Sequence, residues 1–377
     1  MNFSDNETQS LLRDTANRLI RDKYDFDTRK KYLASPQGYS AALWKEYGEL
    51  GLLGIDASED HGGSGGTFAD LAVVLEAFGR GLALEPYLSS IILSAEVLRA
   101  SGDTAAQQEY LPKLASGELK MALAHGEPAS RYDLTRVETT AKADGGNHVL
   151  NGHKAVVLGA EDADVLVIAA RMAGAIKDAD GISLFSVEAG TPGLTIRGFI
   201  NMDDRRAGEV LLENVRAKAL IGEEGRGLAA LQAAVDRATA AVCCEAVGAM
   251  DAVNQLTLEY LKTRSQFGRP IGKFQVLQHR MADMMMAEQS ARSMLALAIA
   301  NADNQDVEVR AKAVSAAKVQ IGNSGNIVGR GAVQLHGGIG MTMELAAAHY
   351  FRRLTAIEKM FGDTDYHLAR FVAAKAL

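Results

Sequence analysis

The chain has 377 residues, of which 47% are hydrophobic and 23% charged, and its formal net charge is −7. This length is enough for two or three domains with a large core, and the composition is that of an ordinary globular protein. The acidic balance argues against nucleic-acid binding, which needs clustered lysine and arginine, and no apolar run is long enough to insert in a membrane. The first residues lack a signal-peptide pattern, which predicts a cytoplasmic location.

Residues 1–120 have helical periodicity, with helices expected over residues 43–52, 68–80 and 86–100. The glycine-rich stretch at residues 60–66 is predicted to be a loop. It lacks the Lys-Ser/Thr pair of a phosphate-binding loop, and no strand precedes it.

From Met121 to about Gly222 the hydrophobic period becomes two, and glycine-containing turns are expected at residues 144–146 and 151–152. Several short strands at such spacing predict a small β-barrel or sandwich. The clearest strand patterns cover residues 139–142, 148–150, 165–168, 182–187 and 209–212.

Helical periodicity returns after residue 222 and continues to the C-terminus, so we expect three domains: residues 1–120, 121–222 and 223–377. The order α, β, α has no βαβ alternation and argues against a Rossmann fold. Cys243 and Cys244 are adjacent in a helical stretch, where a disulfide between them is unfavourable, and no Cys or His spacing suggests zinc. We expect two buried thiols and no metal site.

Residues 263–286 stand between two of the late helices, which are expected to end near Lys262 and to resume at about Phe274. We expect Arg264 and Gln266 to end the first helix, and Gln275 to lie in the first turn of the next. Cationic donors beside a helix start suit an anion or phosphate, and a solvated arginine at a capped corner is the alternative. The residues that break the helix are Gly268, Pro270 and Gly272.

This segment reads R-x-x-F-G-x-x-I-x-x-F-Q-x-x-x-H-x-x-A-D-M and resembles the hallmark segment of the acyl-CoA dehydrogenase flavoproteins. Residues 334–340 are similar to the same family's later Q-x-x-G-G-x-G turn. The resemblance covers essentially the whole chain. It implies an α+β fold with a helical N-domain, a β-barrel middle domain and a C-terminal four-helix bundle.

The resemblance also implies an FAD site, which in the family lies across a dimer interface. Glycines in the second motif allow the backbone to approach the cofactor closely. Two alternatives stay open: Gly337 and Gly338 as a helix C-cap, and Phe267 as a core residue. The residues that match the two motifs are Arg264, Gln266, Phe267, Gln275, Gln334, Gly337 and Gly338.

Enzymes of this family remove the α proton of an acyl thioester with a carboxylate, while the β hydrogen leaves as hydride to the flavin. The position of the family's usual glutamate corresponds to Gly362, and the alternative base position corresponds to Ala238. Asp363, displaced by one residue, is the candidate base, and a helix-capping aspartate is the alternative. The N–H of Gly362 remains able to polarise a thioester. In the middle domain, Tyr132 stands where the family has a serine.

The expected reaction converts a saturated acyl-CoA to the trans-2-enoyl-CoA and passes electrons to an electron-transferring flavoprotein. The stretches 243–248 and 362–367 resemble the pimeloyl-CoA dehydrogenase small subunit and related steroid-degrading dehydrogenases. We therefore expect a homo- or heterotetramer, which leaves room for a sister acyl-CoA dehydrogenase subunit. The alternatives are a non-catalytic or half-site subunit of a heteromer, and an oxidase on the same fold.

Overall fold

The computed structural model describes residues 5–374; residues 1–4 and 375–377, which belong to the predicted terminal domains, lie outside it. The chain forms two compact units. The helical unit contains the residues up to Tyr32, Thr67–Ala83 and the residues from Thr239 onward. The sheet unit contains Leu33–Gly66 and Leu84–Ala238.

The helices cover both ends of the chain. They are α1 (Glu7–Lys23), α2 (Phe26–Leu33), α3 (Ala41–Glu49), α4 (Phe68–Gly81), α5 (Ala95–Ala100), α6 (Thr104–Ser116), α7 (Gly227–Thr263), α8 (Gln275–Asn301), α9 (Val307–His336), α10 (Ala346–Lys359) and α11 (Thr364–Ala373). Leu88–Ser94, directly before α5, forms a π-helical turn. Within residues 5–374, none of the helices combines the length and the apolar character needed to cross a membrane.

One mixed sheet of eight strands forms the centre of the sheet unit. Its strands are β1 (Met121–Ala124), β2 (Thr140–Asp144), β3 (Asn147–Leu158), β4 (Val165–Arg171), β5 (Ile182–Glu188), β6 (Leu194–Ile200), β7 (Arg206–Arg216) and β8 (Ala219–Ile221). Their order is β6-β7-β3-β2-β4-β5-β8, and β1 pairs with β4. The β1–β4 and β2–β4 pairs are parallel and the other pairs are antiparallel.

The two predicted glycine turns have different outcomes. Gly145 and Gly146 join β2 to β3 with φ of 56° and 87°, the left-handed pair of a tight hairpin. The turn predicted at residues 151–152 is wrong, because both residues lie inside β3. The register of β3 against β7 shifts between Leu150 and Gly152, so this glycine serves a bulge.

In the helical unit, α9 contacts α8, α10 and α11. Helices α4 and α7 touch backbone to backbone. A Cβ added at Gly79 would lie 2.0 Å from the carbonyl oxygen of Glu245, and one at Gly248 would lie 2.0 Å from that of Glu76. A larger residue at either glycine would force the helices apart. A helical N-terminal part, a sheet-rich middle part and a helical C-terminal part are therefore confirmed.

Both cysteines lie in this packed part of α7. Cys243 and Cys244 are fully buried and unbridged, as expected. Burial raises the pKa of the Cys243 thiol to about 12, so this thiol stays protonated and behaves as a small apolar side chain.

Candidate functional site

The first motif folds as a short hairpin between α7 and α8. Strand β9 (Ser265–Gln266) pairs antiparallel with β10 (Arg269–Pro270). Phe267 and Gly268 form the turn, with left-handed φ values of 54° and 76°. Arg264 lies at the end of the first helix as expected, because α7 ends at Thr263 and the N–H of Arg264 donates to the carbonyl oxygen of Tyr260. The expected place of Gln266 is wrong, since Gln266 belongs to the hairpin. Two turn residues with φ > 0 match the twist of paired strands, which explains why the chain forms a hairpin here.

Helix α8 begins at Gln275 with Phe274 as its N-cap residue, which confirms the predicted place of Gln275. The guanidinium of Arg269 lies 4.2 Å from the centroid of the Phe274 ring. The Phe267 ring meets that of Phe274 edge-on at 6.1 Å. Phe267 is nevertheless 88% exposed, so it is not a core residue of this chain.

The second motif forms the end of α9. Gly337 caps the helix with φ of 66°, and its N–H donates to the carbonyl oxygen of Gln334. The C-cap alternative for Gly337 is therefore correct as a description of the local structure. A Cβ added at Gly337 or Gly338 would meet no atom within 4 Å. Within the described residues, steric crowding therefore does not explain why position 338 is a glycine.

Tyr260 brings the two motifs together. Its ring lies 4.4 Å from that of His336, and its hydroxyl donates to the carbonyl oxygen of His336 at 3.4 Å. The N–H of Arg264 donates to the carbonyl oxygen of Tyr260, and Gly337 directly follows His336. The hairpin and the glycine corner are therefore neighbours on the helical unit. We call residues 264–268, Gln275 and residues 334–338 the motif surface.

The residues of the motif surface are exposed except Leu335 and His336, which are buried beneath it. Within residues 5–374, the guanidinium of Arg264 makes no ion pair or hydrogen bond. The backbone of Arg264 is tied to the segment before α8, because its carbonyl oxygen accepts from the N–H of Ile271 at 2.8 Å. The first N–H groups of α8 carry partial positive charge. Together these groups suit a phosphate or another anion.

The turn between α10 and α11 contains Gly362, which corresponds by resemblance to the usual glutamate position, and Asp363, the candidate base. Asp363 is the N-cap of α11: its Oδ1 accepts from the N–H of Tyr366 at 3.0 Å. Its Oδ2 lies 3.8 Å from the Nζ of Lys359. Gly362 is buried with φ of 127°, a conformation that favours glycine. Ala238, at the alternative base position, is also buried.

Two buried side chains hold this turn. The Nζ of Lys318 donates to the carbonyl oxygens of Gly362 at 2.6 Å and Glu358 at 3.0 Å. The Nε2 of His367 lies 3.2 Å from the carbonyl oxygen of Phe361, which can only accept, so Nε2 carries the proton. Burial lowers the pKa of Lys318 to about 8 and that of His367 to about 3.

The sequence did not identify Lys318 as important, although a signal was present. Lys318 lies three residues after Ser315 and three before Ile321 on α9, and all three are buried. A lysine on the apolar face of a helix needs acceptors, so its position indicates a partner elsewhere in the fold. His367 is buried as well.

The segment at residues 126–133 lies in the sheet unit. Its Glu127 is buried and accepts from the Nζ of Lys154 at 2.6 Å and from the N–H groups of Glu138 and Thr139 at 2.7 and 3.0 Å. The carboxylate therefore ties this loop to β3 and to the start of β2. Tyr132 is half-buried in the same loop.

Comparisons with known proteins agree with this geometry. Family models for the N-terminal, middle and C-terminal domains of acyl-CoA dehydrogenase match residues 6–118, 122–215 and 225–376. The probable acyl-CoA dehydrogenase YngJ of Bacillus subtilis is 30% identical over 387 residues, covering 100% of each chain. A variant of the Tcur3481-Tcur3483 steroid ACAD shares 30% identity and a TM-score of 0.86, covering 97% of each chain.

An FAD complex of PigA shares 27% identity and a TM-score of 0.89, with 99% of this chain and 98% of that chain covered. Members of the matched family are FAD flavoproteins. The predicted enzyme class, an acyl-CoA dehydrogenase, and the predicted cofactor, FAD, are therefore confirmed at the level of the family. The matches extend through all three parts of the chain. The chain belongs to the acyl-CoA dehydrogenase family.

Proposed function

We propose that the chain binds FAD at the motif surface and catalyses the α,β-dehydrogenation of an acyl-CoA thioester to the trans-2-enoyl-CoA. The observation that carries this proposal is the juxtaposition of the two motifs through Tyr260 and His336. Seven motif residues, far apart in sequence, thereby share one exposed surface that has polar side chains and accessible backbone.

The parts of the motif surface suit the adenine-dinucleotide tail of FAD. The unpartnered guanidinium of Arg264 and the start of α8 offer donors to a pyrophosphate. Gln266, Gln275 and Gln334 offer amides for polar groups of the cofactor. Gly338 leaves open backbone that a planar ring system can approach.

Exposed apolar side chains near the motif surface support a site shared between chains. A lone chain would leave this apolar area in water, whereas apolar patches of this kind mark protein interfaces. The side chains are Phe267, Val276, Met285, Met286, Ile339, Met341 and Met343, with exposures between 43% and 88%. We propose a tetramer in which a neighbouring acyl-CoA dehydrogenase chain covers this area and completes the FAD site.

The turn at Gly362 supports a role in thioester binding. Within residues 5–374, the buried N–H of Gly362 donates to no acceptor. Buried N–H groups without partners are rare in folded proteins, so this donor suits a ligand oxygen. A hydrogen bond to the thioester carbonyl oxygen would stabilise the negative charge that develops when the α proton leaves. FAD, when bound, supplies the acceptor for the β hydrogen.

We assign the removal of the α proton to Asp363, the carboxylate nearest in sequence to Gly362. The carboxylate of Asp363 also caps α11, and this hydrogen bond occupies one of its two oxygens. The cap therefore favours a second candidate function. In that function the chain is the half-site subunit of a heteromer, and the base comes from the sister chain. The steroid ACAD that is 30% identical is named for two components, Tcur3481 and Tcur3483, which supports a heteromer of the steroid-degrading branch.

We further propose an electron-transferring flavoprotein as the electron acceptor and the cytoplasm as the location. An oxidase on this fold would instead reduce oxygen. Hydrogen peroxide formed during turnover without an electron-transferring flavoprotein would identify it.

The visible spectrum of the purified protein tests the proposal, with the chain produced alone and together with a neighbouring acyl-CoA dehydrogenase chain. We expect flavin absorbance that bleaches anaerobically on addition of one of a series of acyl-CoA thioesters, aliphatic and steroid-derived. Bleaching of the single chain supports Asp363 as base, and bleaching of the pair alone supports the half-site function. Colourless protein in both preparations would overturn the proposal.

Arg264→Ala tests the assigned surface. Loss of one charge-assisted contact should weaken FAD binding about 10- to 100-fold. Arg18→Ala on α1 is the matched control, because Arg18 is also exposed and makes no ion pair or hydrogen bond within residues 5–374. Equal FAD contents in the two variants would remove the motif surface from the FAD site.

A further inference from the structure

We infer that Lys318 and His367 are positioning residues that orient the N–H of Gly362 toward the thioester carbonyl oxygen. This inference rests on the proposed function and adds two residues that neither motif contains. It concerns the two peptide units on either side of the Gly362 α-carbon, Phe361–Gly362 and Gly362–Asp363. Each of these peptide units has its carbonyl oxygen held by a different buried side chain.

His367 sets the direction of the N–H. In a planar trans peptide, the C=O and the N–H point in opposite directions. Because the carbonyl of Phe361 points at the Nε2 of His367, the N–H of Gly362 points away from His367. The Nδ1 of His367 lies 3.1 Å from the Oγ of Ser315 on α9, so the imidazole is held at both nitrogens.

Lys318 fixes the second peptide unit. Its Nζ bridges the carbonyl oxygens of Gly362 and Glu358, which joins the end of α10 to the turn. Lys318 is 1% exposed, so the competing water is excluded and each hydrogen bond is strengthened. A rotation of the Gly362 backbone would break this contact and leave the buried ammonium with the Glu358 carbonyl but without its shorter hydrogen bond.

The same groups explain why position 362 carries no side chain. A Cβ on Gly362 would lie 2.4 Å from Cδ1 of Tyr366 and 2.6 Å from Nε2 of His367. The space that a glutamate at this position would need is filled by α11. The turn is therefore built to present a backbone donor and no carboxylate at this position.

Acetoacetyl-CoA tests the inference, because this thioester ionises at its own C2 and its enolate can be followed by absorbance. The protein is used with FAD bound, together with its partner chain where the pair is required for flavin binding. Hydrogen-bond donors to the enolate oxygen lower the apparent pKa of the bound thioester. The pKa falls further when the donor points directly at that oxygen. We expect Lys318→Met and His367→Leu to raise that apparent pKa by about one unit or more, a tenfold loss, with the FAD content unchanged.

Two variants serve as controls. Lys312→Met removes a lysine of the same helix whose Nζ lies over the Phe371 ring, so the pKa of bound acetoacetyl-CoA should not change. His367→Gln keeps an N–H donor near the position of Nε2 and should recover most of the effect of His367→Leu. If Lys318→Met does not fold, the His367→Leu and His367→Gln pair decides.

The outcomes separate the inference from the proposed function. Folded, flavin-containing variants with an unchanged pKa of acetoacetyl-CoA would overturn the inference and leave the proposed function standing. A flavin-containing wild-type protein that binds no acyl-CoA would refute the proposed function and the inference with it.

Discussion

Tyr260 and His336 stack with a ring separation of 4.4 Å, and the hydroxyl of Tyr260 also donates to the backbone of His336. Their contact joins the last turn of α7 to the end of α9. Tyr260 lies four residues before Arg264 of the first motif, and His336 lies within the second motif, so the contact sets the distance between the hairpin and the glycine corner. Neither side chain belongs to the set matched to FAD, yet together they determine how that set is arranged.

This arrangement predicts an indirect effect of Tyr260 on the cofactor. Tyr260→Ala should lower FAD affinity about tenfold, because the stacked pair contributes about 0.5–1.5 kcal/mol beyond its buried area. Tyr260→Phe should have a smaller effect, since the hydrogen bond it loses is long at 3.4 Å. Flavin content after dialysis measures both. An equal loss in the two variants would show that the hydroxyl, and not the ring, sets the arrangement.

Introducing a carboxylate at position 362 should fail. Gly362→Glu combines a φ of 127° with a Cβ that meets Tyr366 and His367, so we expect a loss of about 2 kcal/mol or more in the free energy of unfolding. Dehydrogenation should not increase. The measurements are the thermal midpoint and acyl-CoA turnover. A stable variant with raised activity would show that the turn has room for a base.

Glu245 and Arg353 form a buried bidentate ion pair between α7 and α10, with N–O distances of 2.6 and 2.8 Å. Glu245→Gln should cost about 3–5 kcal/mol in the free energy of unfolding, because it removes the carboxylate charge that faces the buried guanidinium. The double variant Glu245→Leu with Arg353→Met should recover most of this loss. Denaturant unfolding measures all three proteins.

An exposed pair is the matched control for this prediction. Asp144 and Arg216 are 2.9 Å apart, and their side chains are 54% and 61% exposed. Asp144→Asn should therefore change the free energy of unfolding by less than about 1 kcal/mol. Similar losses in the buried and exposed pairs would contradict the argument from burial.

Residue patterns predicted part of the site and missed the rest for identifiable reasons. Gly268 and Pro270 showed where the helix breaks, and Gln275 showed where it resumes. The hairpin was missed because Phe267 takes a left-handed turn position where asparagine or glycine is usual. The partners of Lys318 lie 40 and 44 positions away in sequence. Hydrophobic periodicity does not predict which residues of two such distant segments come into contact.

The sheet shows the same limits. Gly152 looks like a turn because bulges and turns both use glycine, and only the pairing of β3 with β7 distinguishes them. Strand β1 gave no alternating pattern because all four of its residues are buried. The roles of Asp363 and of the residues matched to FAD stay predictions, because these roles concern FAD and the thioester and not contacts within the chain.

His367 predicts a pH dependence of stability. Burial, with Lys318 and Arg370 nearby, lowers its pKa to about 3 despite the contact with the Phe361 carbonyl and the charge of Asp363. The folded state therefore holds a neutral imidazole, while the unfolded chain takes up a proton below its ordinary pKa of 6.5. The stabilisation is complete above that pH and declines as pH falls toward 3, by up to about 1.4 kcal/mol per pH unit.

His367→Gln isolates this contribution, because glutamine does not titrate and the other titratable groups remain in both proteins. One of these groups is His125, whose pKa burial lowers to about 4. The wild type should lose more stability than the variant between pH 7 and pH 4.5, so the difference in their unfolding midpoints should shrink. Thermal or urea unfolding at several pH values measures the difference. A difference that stays constant with pH would mean that His367 takes up its proton as easily in the folded protein as in the unfolded chain, and that its ring does not need to be neutral to hold the turn.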